Sequence, residues 1–275
     1  MAKHRSQWSL HRYHKLMEEG RGQGVLQDYK PWITIHDLAS KGVVSRVWGQ
    51  KTGRIHHFLS RNETAFFYIL DASEKVFDIR EQFPLLPVSE TLEIARQAGI
   101  RHPRDTRSLY PYVMTSDFVI TTKDGITKVR SVKLSKELLN PRTVEKLEIE
   151  RRYWAKRRIE WRLVTEEQID FQRAGNLEWI RRSAGFPERL PGHTGEDEVV
   201  ECFLDLYRST ALSISDIARM IEAEFCLEAG LGITTFQYLL LSGRIREDLG
   251  KPLDLVSPRV KSEEKGTYSW IETFV

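Results

Sequence analysis

Three side chains of the 275-residue chain, Glu63, Asp117 and Lys133, are of the types that hydrolysis of a phosphodiester requires. That reaction calls for a hard cation, which stabilises charge on the phosphorane and lowers the pKa of the attacking water. Magnesium takes carboxylate oxygens and keeps several waters, so two carboxylates with backbone and water oxygens are a sufficient set. A neighbouring lysine orients or polarises the nucleophilic water and stabilises the developing charge. Asp117 and Lys133 flank Lys123-Asp124-Gly125, a hairpin signal that would bring the two side by side. Ser131, two residues before Lys133, projects from the same strand face. On spacing alone, surface charges on a hairpin explain these residues better than a catalytic site does.

The elements that must position them follow from periodicity. Residues 46–49 and 56–59 predict short strands around a turn at Thr52-Gly53. Residues 63–72 predict a helix capped by Asn62, with Phe66, Phe67 and Leu70 facing inward. A strand over 76–79 and a helix over 89–97 come next, then strands over 117–121 and 127–134. A long helix is expected over 141–156, with Pro141 in its first turn and Val144, Leu147 and Tyr153 on the buried side. Residues 161–164 read as a strand, and Thr165-Glu166-Glu167 as the opening of another helix. The result is an α/β domain, a mixed sheet flanked by helices.

Two prolines and two glycines in 183–192 mark a linker between residues 1–182 and 193–275. The last part reads as mainly helical. Val199, Val200, Phe203, Leu204 and Tyr207 share one helix face, and Ser213 or Ser215 caps a helix carrying Ile217, Met220, Ile221 and Phe225. The Gly230–Thr235 turn leads to a third helix with Phe236, Leu239 and Leu240. With β-like remnants at 253–256 and 268–271, this is the order of a winged helix.

The net charge of +3 hides an asymmetry. Residues 1–190 hold 34 Lys/Arg against 24 Asp/Glu, whereas 191–275 hold 8 against 15. A basic body suits a polyanion such as DNA, and an acidic C-terminal part suits a protein partner. The longest apolar runs are far too short for a membrane span, and Met1 to His14 is polar and basic, unlike a secretory signal. Cys202 and Cys226 lack metal-ligand spacing with histidine. These features predict a cytoplasmic protein with reduced thiols and no membrane contact.

The stretches Gly20-Arg-Gly-Gln-Gly24, Gly53-Arg-Ile-His-His57, Asp78-Ile-Arg-Glu-Gln-Phe-Pro-Leu85 and Glu145-Lys-Leu-Glu-Ile-Glu-Arg-Arg-Tyr-Trp154 closely resemble the TnsA family of transposase endonuclease subunits. The resemblance covers roughly residues 15–180, with the C-terminal part similar only in layout. It implies a restriction-endonuclease-like catalytic domain and a small winged-helix-like interaction domain. The family's active-site acid pair and lysine match Glu63, Asp117 and Lys133. The metal, Mg2+ with Mn2+ as substitute, would be held by Glu63, Asp117, the Val132 carbonyl and, through water, Ser131. The family usually has glutamine where Ser131 stands. Glu150 matches an acid just behind the ligands.

The implied activity is metal-dependent hydrolytic nicking at the 5′ ends of a mobile element during cut-and-paste transposition. Implied partners are transposon-end DNA, a TnsB-like integrase-family subunit and a TnsC-like ATPase regulator met through the C-terminal domain. Two rivals stand beside this reading: a free-standing restriction-type endonuclease, and a non-catalytic DNA-binding adaptor.

Outside the core constellation, Arg151 and Arg152 on the long helix are equally a solvated face or phosphate contacts. Adjacent strand histidines point to opposite faces, so His56 and His57 cannot act together, and at best His57 meets DNA. Arg80, Glu81 and Gln82 either shape the site or hold a salt bridge. Tyr153, Trp154 and Trp161 are expected in the core.

Overall fold

The computed structural model describes residues 8–37, 43–192 and 194–259, which form two compact units divided between Ile169 and Asp170. In the first unit, helix α1 (Leu10–Glu18) starts at Ser9, whose side chain accepts from the Arg12 N–H. Strands β1 (Ser45–Gly49) and β2 (Arg54–Phe58) pair antiparallel as a two-stranded ribbon. Gly53, at φ 65°, turns the ribbon, and the Asp71 carboxylate accepts from the Gln50 and Lys51 N–H groups at 3.1 Å each.

Helix α2 (Arg61–Ala72) is capped by Ser60, not Asn62 as expected. Ser60 and Glu63 have the spacing of a capping box, and the serine hydroxyl reaches the Glu63 N–H at 3.2 Å. Strand β3 (Val76–Pro84) runs five residues further than expected, and helix α3 (Val88–Gln97) follows. Strands β4 (Thr115–Thr122) and β5 (Thr127–Val132) form the anticipated hairpin. Helix α4 (Pro141–Lys156), with Asn140 as cap, crosses over to strand β6 (Glu160–Val164), which pairs parallel to β5.

The resulting order, β3-β4-β5-β6, is a mixed four-stranded sheet. On one face Phe118 packs against Phe58 and Phe66. On the other, Val119 and Val129 meet Ile94 and Ala95 of α3 and Ile149, Tyr153 and Trp154 of α4. Val144 was expected inward but is 47% exposed, because the apolar stripe of α4 starts a turn later at Leu147. The free edge of β3 is covered, as unpaired edges generally are: the Trp32 N–H donates to the Gln82 carbonyl at 3.2 Å and the Tyr29 hydroxyl to the Glu81 carbonyl at 3.0 Å.

Thr165-Glu166-Glu167 does not open a helix. The Glu166 carboxylate is taken by the Ser135 N–H and hydroxyl, and Thr165 N–H bonds Gln168, closing a turn. Helix α5 (Phe171–Ile180) starts later, with Asp170 as cap, and belongs to the second unit. That unit continues with α6 (Glu196–Ser209), α7 (Ile214–Glu224) and α8 (Leu231–Leu241). The division therefore lies ahead of the 183–192 linker read from composition. The physical reason is packing: the Trp179 ring meets Phe236, its carbonyl accepts from Gln237 at 2.9 Å, and Asn176 donates to the Leu249 and Lys251 carbonyls.

Phe203, Ile217, Ile221, Phe236 and Leu239 form the apolar centre of the second unit. Gly232 lets α8 approach α7, since a Cβ there would collide with the Ala218 backbone. Among its described residues this unit holds helices and no strand. The expected strand at 253–256 is instead a turn, in which Asp254 accepts from the Val256 and Ser257 N–H groups. The one expected at 268–271 lies outside the described residues.

Candidate active site

The β4–β5 hairpin sets Asp117 beside Lys133. The Asp117 Oδ2 accepts from the Lys133 ammonium at 2.7 Å and from the Val132 N–H at 2.7 Å. The same ammonium donates to the Val132 carbonyl at 2.8 Å. Two hard oxygens, one carboxylate and one carbonyl, thus converge on a single cation. Lys133 stands just past β5, where its N–H continues the pairing to the Val164 carbonyl at 3.0 Å.

Glu63 enters from α2 and is buried. Its Oε1 accepts from the Ser60 hydroxyl at 2.8 Å and its Oε2 from the Leu59 N–H at 3.1 Å. Burial, then the charge of Asp117, pushes the Glu63 carboxyl up to about 7 against the pull of those donors. Glu150 comes from α4, is buried, and is likewise pushed up to about 7 by burial and Asp117. Burial opposes the charge on Lys133, but Asp117 first, then Glu150 and Glu63, outweigh it and hold its pKa above the usual lysine range.

Ser131 is buried, and its hydroxyl meets the Glu150 Oε1 at 2.5 Å and the Trp161 indole N–H at 3.1 Å. Trp154 donates to the Ser116 hydroxyl at 2.8 Å, and Ser116 in turn bonds Glu150. Glu150 therefore stands behind the hairpin, linked through serines to the strands that carry Asp117 and Lys133.

The remaining candidates lie apart from this group. Arg151 and Arg152 both pair with Glu148 on the outer side of α4, at 2.7 Å each. His56 and His57 do point to opposite faces. His56 is fully buried between Thr52 at 2.7 Å and Glu81 at 2.8 Å. His57 is half-buried, lies edge-on to the His36 ring, and has its pKa pushed down by burial. Tyr153 and Trp154 are core residues.

Glu81 proves to be the anchor of a buried clamp. It accepts from Arg54 at 2.9 and 2.6 Å, from the His57 N–H at 3.1 Å and from His56. Burial opposes its charge, but His56 and Arg54 outweigh that and bring Glu81 down to about 2. Ser60 went unread in the sequence, although its spacing to Glu63 is a capping signal.

Two buried carboxylates, a carbonyl oxygen and a partly exposed ammonium suit a hard cation that keeps part of its water shell. Among the described residues no group of three or more His, Cys, Asp and Glu side chains gathers as a closed metal cage.

The cluster sits on the central strands of the mixed sheet, and the family that this stretch of sequence matches is one of endonucleases. Residues 73–166 match the family described as TnsA-like endonuclease N terminal. That stretch holds Asp117, Ser131, Lys133 and Glu150, while Glu63 lies ahead of it. The chain is also 43% identical over 182 residues to the transposon Tn7 transposition protein TnsA of Escherichia coli, covering 66% of this chain and 66% of that protein. Residues 73–166 are thus a TnsA-like endonuclease N-terminal domain, and the match to the Tn7 protein spans just under two thirds of either chain. No helix among the described residues is long and apolar enough to cross a membrane.

Proposed function

We propose that this protein is a transposition endonuclease that hydrolyses one DNA strand at each 5′ end of a mobile element, within a heteromeric transposase. The observation that carries the reading is the convergence of Asp117 Oδ2 and the Val132 carbonyl on the Lys133 ammonium, beside the buried Glu63. Glu63, Asp117 and the Val132 carbonyl would hold Mg2+, or Mn2+ in its place; Ser131 would reach it only through water. The bound ion would supply Lewis acidity and lower the pKa of the attacking water.

The chain's own groups do the rest. Lys133, held protonated by its carboxylate neighbours, is a donor rather than a base, and steadies a phosphate oxygen as charge grows on it. Water adds to phosphorus, the P–O3′ bond breaks, and the departing O3′ takes a proton. The products are a 3′-hydroxyl and a 5′-phosphate. Glu150 orients the strands through Ser131 and Ser116. The acidic C-terminal part is read as the face for a TnsC-like ATPase, with a TnsB-like subunit cutting the other strand.

The test is cleavage of transposon-end DNA with Mg2+ or Mn2+, comparing wild type with Asp117→Ala, alone and with TnsB-like and TnsC-like subunits. Nicks at 5′ ends that need the partners and vanish in Asp117→Ala are expected. Cutting by wild type alone favours a restriction-type enzyme. No 5′ cleavage, or cleavage that survives the substitution, sinks the assignment and leaves a DNA-binding adaptor.

A further inference from the structure

Gln82 lies across from Asp117 in the sheet. Glu81 pairs with Phe118 and Phe83 with Ser116, so the register sets Gln82 opposite the catalytic aspartate. Yet Gln82 takes no part in that ladder. Its backbone is turned to φ 48°, a left-handed conformation uncommon for a residue with a Cβ, and its carbonyl accepts instead from the Trp32 N–H. The side chain is buried. Its amide oxygen accepts from the Thr115 hydroxyl at 3.0 Å, and its amide nitrogen donates to the Glu63 Oε2 at 3.4 Å. That orientation suits a carboxylate that holds a cation, which is ionised, only accepts, and so faces the NH2.

The other hydrogen-bond donors to Glu63 among the described contacts, Leu59 N–H and Ser60, belong to its own helix entry. Alone they would make Glu63 an ordinary capping-box glutamate, fixed to α2 and free to shift with it. Gln82 ties that carboxylate to the strand beside Asp117. A non-glycine residue kept in an unfavourable backbone conformation, buried and aimed at a functional carboxylate, is the pattern of strain retained for a site.

We infer that Gln82 is a positioning residue that sets the Glu63 carboxylate at the spacing from Asp117 which a divalent cation needs. This rests on the metal-dependent reading of the site. The experiment is Mn2+ binding to the purified full-length chain, by calorimetry and by the Mn2+ electron-spin signal, alongside thermal melting. Gln82→Met keeps length and volume but removes the amide. Gln82→Gly relieves the left-handed backbone while also removing it.

Both variants should bind Mn2+ about 10- to 100-fold more weakly, as loss of a residue supporting a metal ligand does. Gln82→Gly should melt no lower than Gln82→Met, which separates the amide from folding. Wild-type affinity in both variants, with Asp117→Ala no longer binding, overturns the inference and leaves the site reading intact. If wild type itself takes up no Mn2+, the reading of the site fails and the inference falls with it.

Discussion

Glu63 and Glu81 are both buried carboxylates in the first unit, and they have opposite fates. Glu81 is enclosed by Arg54, His56 and the His57 N–H, and stays ionised down to about 2. Glu63 has donors too, but burial and then the neighbouring charge of Asp117 outweigh them, and its carboxyl rises to about 7. A buried charge that is fully compensated is a structural clamp, here joining the β1–β2 ribbon to β3. A buried carboxyl left under-compensated beside another of the same sign holds its proton to higher pH, and on the proposed reading a divalent cation would take that proton's place. Compensation, rather than burial, distinguishes the two.

The largest effect should come from breaking the compensated member. Glu81→Ala leaves Arg54 and His56 buried without their partner, and should cost about 3–5 kcal/mol in urea unfolding. A loss below about 1 kcal/mol would mean that the clamp is weak and the contrast with Glu63 is empty. At the under-compensated site the effect should fall on chemistry instead. Lys133→Ala should lower 5′ cleavage by about 10²–10³-fold, with unfolding free energy changed much less than in Glu81→Ala.

The pH dependence of stability sharpens the same comparison. Glu63 and Glu150 titrate near the ordinary glutamate value of 4.5 when unfolded and near 7 when folded. The native state therefore binds more protons across that window, and stability of the metal-free chain falls as pH rises from 4.5 to 7. Glu81, at about 2 against 4.5, has the reverse sign: its contribution is present above 4.5 and is lost as pH falls towards 2. Glu63→Gln should flatten the upper limb, by roughly 1–3 kcal/mol between pH 5 and 8. Denaturant midpoints across pH check this; an unchanged limb in the variant would mean that Glu63 is not frustrated. The smallest effect belongs to an exposed pair: Arg151→Ala, losing only Glu148, should change stability by about 0.5 kcal/mol or less. A larger fall in DNA affinity, read by fluorescence anisotropy, would place Arg151 on phosphate.

Much of this was legible in the chain itself. The bounds of α4 follow from Pro141 and the apolar spacing behind it, and the β4–β5 hairpin from Lys123-Asp124-Gly125 between two β-rich runs. These are local signals, carried within a few residues. Some failures were matters of distant partners: residues 165–167 look like a helix start until Ser135 takes the Glu166 carboxylate. Others were local signals misread, as where Asp254 closes a turn over residues 253–256 and Ser60 rather than Asn62 caps α2. The unit boundary moved ahead of the proline-rich linker because Trp179 and Asn176 pack into the second unit.

The sequence by itself determined which groups are present: two acids and a lysine of the right types, with Asp117 and Lys133 on opposite arms of one hairpin. Tertiary structure alone decided how those charges are answered. Glu63 and Glu81 are the same side chain, 18 positions apart, and although Ser60 marks one of them as a capping residue, no local signal shows which will be answered by cations. Burial raises both; Arg54 and His56 reach one across a ribbon and reverse its shift, whereas Asp117 confronts the other from a different strand and adds to it. Electrostatic energy depends on distance and burial in the folded chain, which sequence separation does not encode.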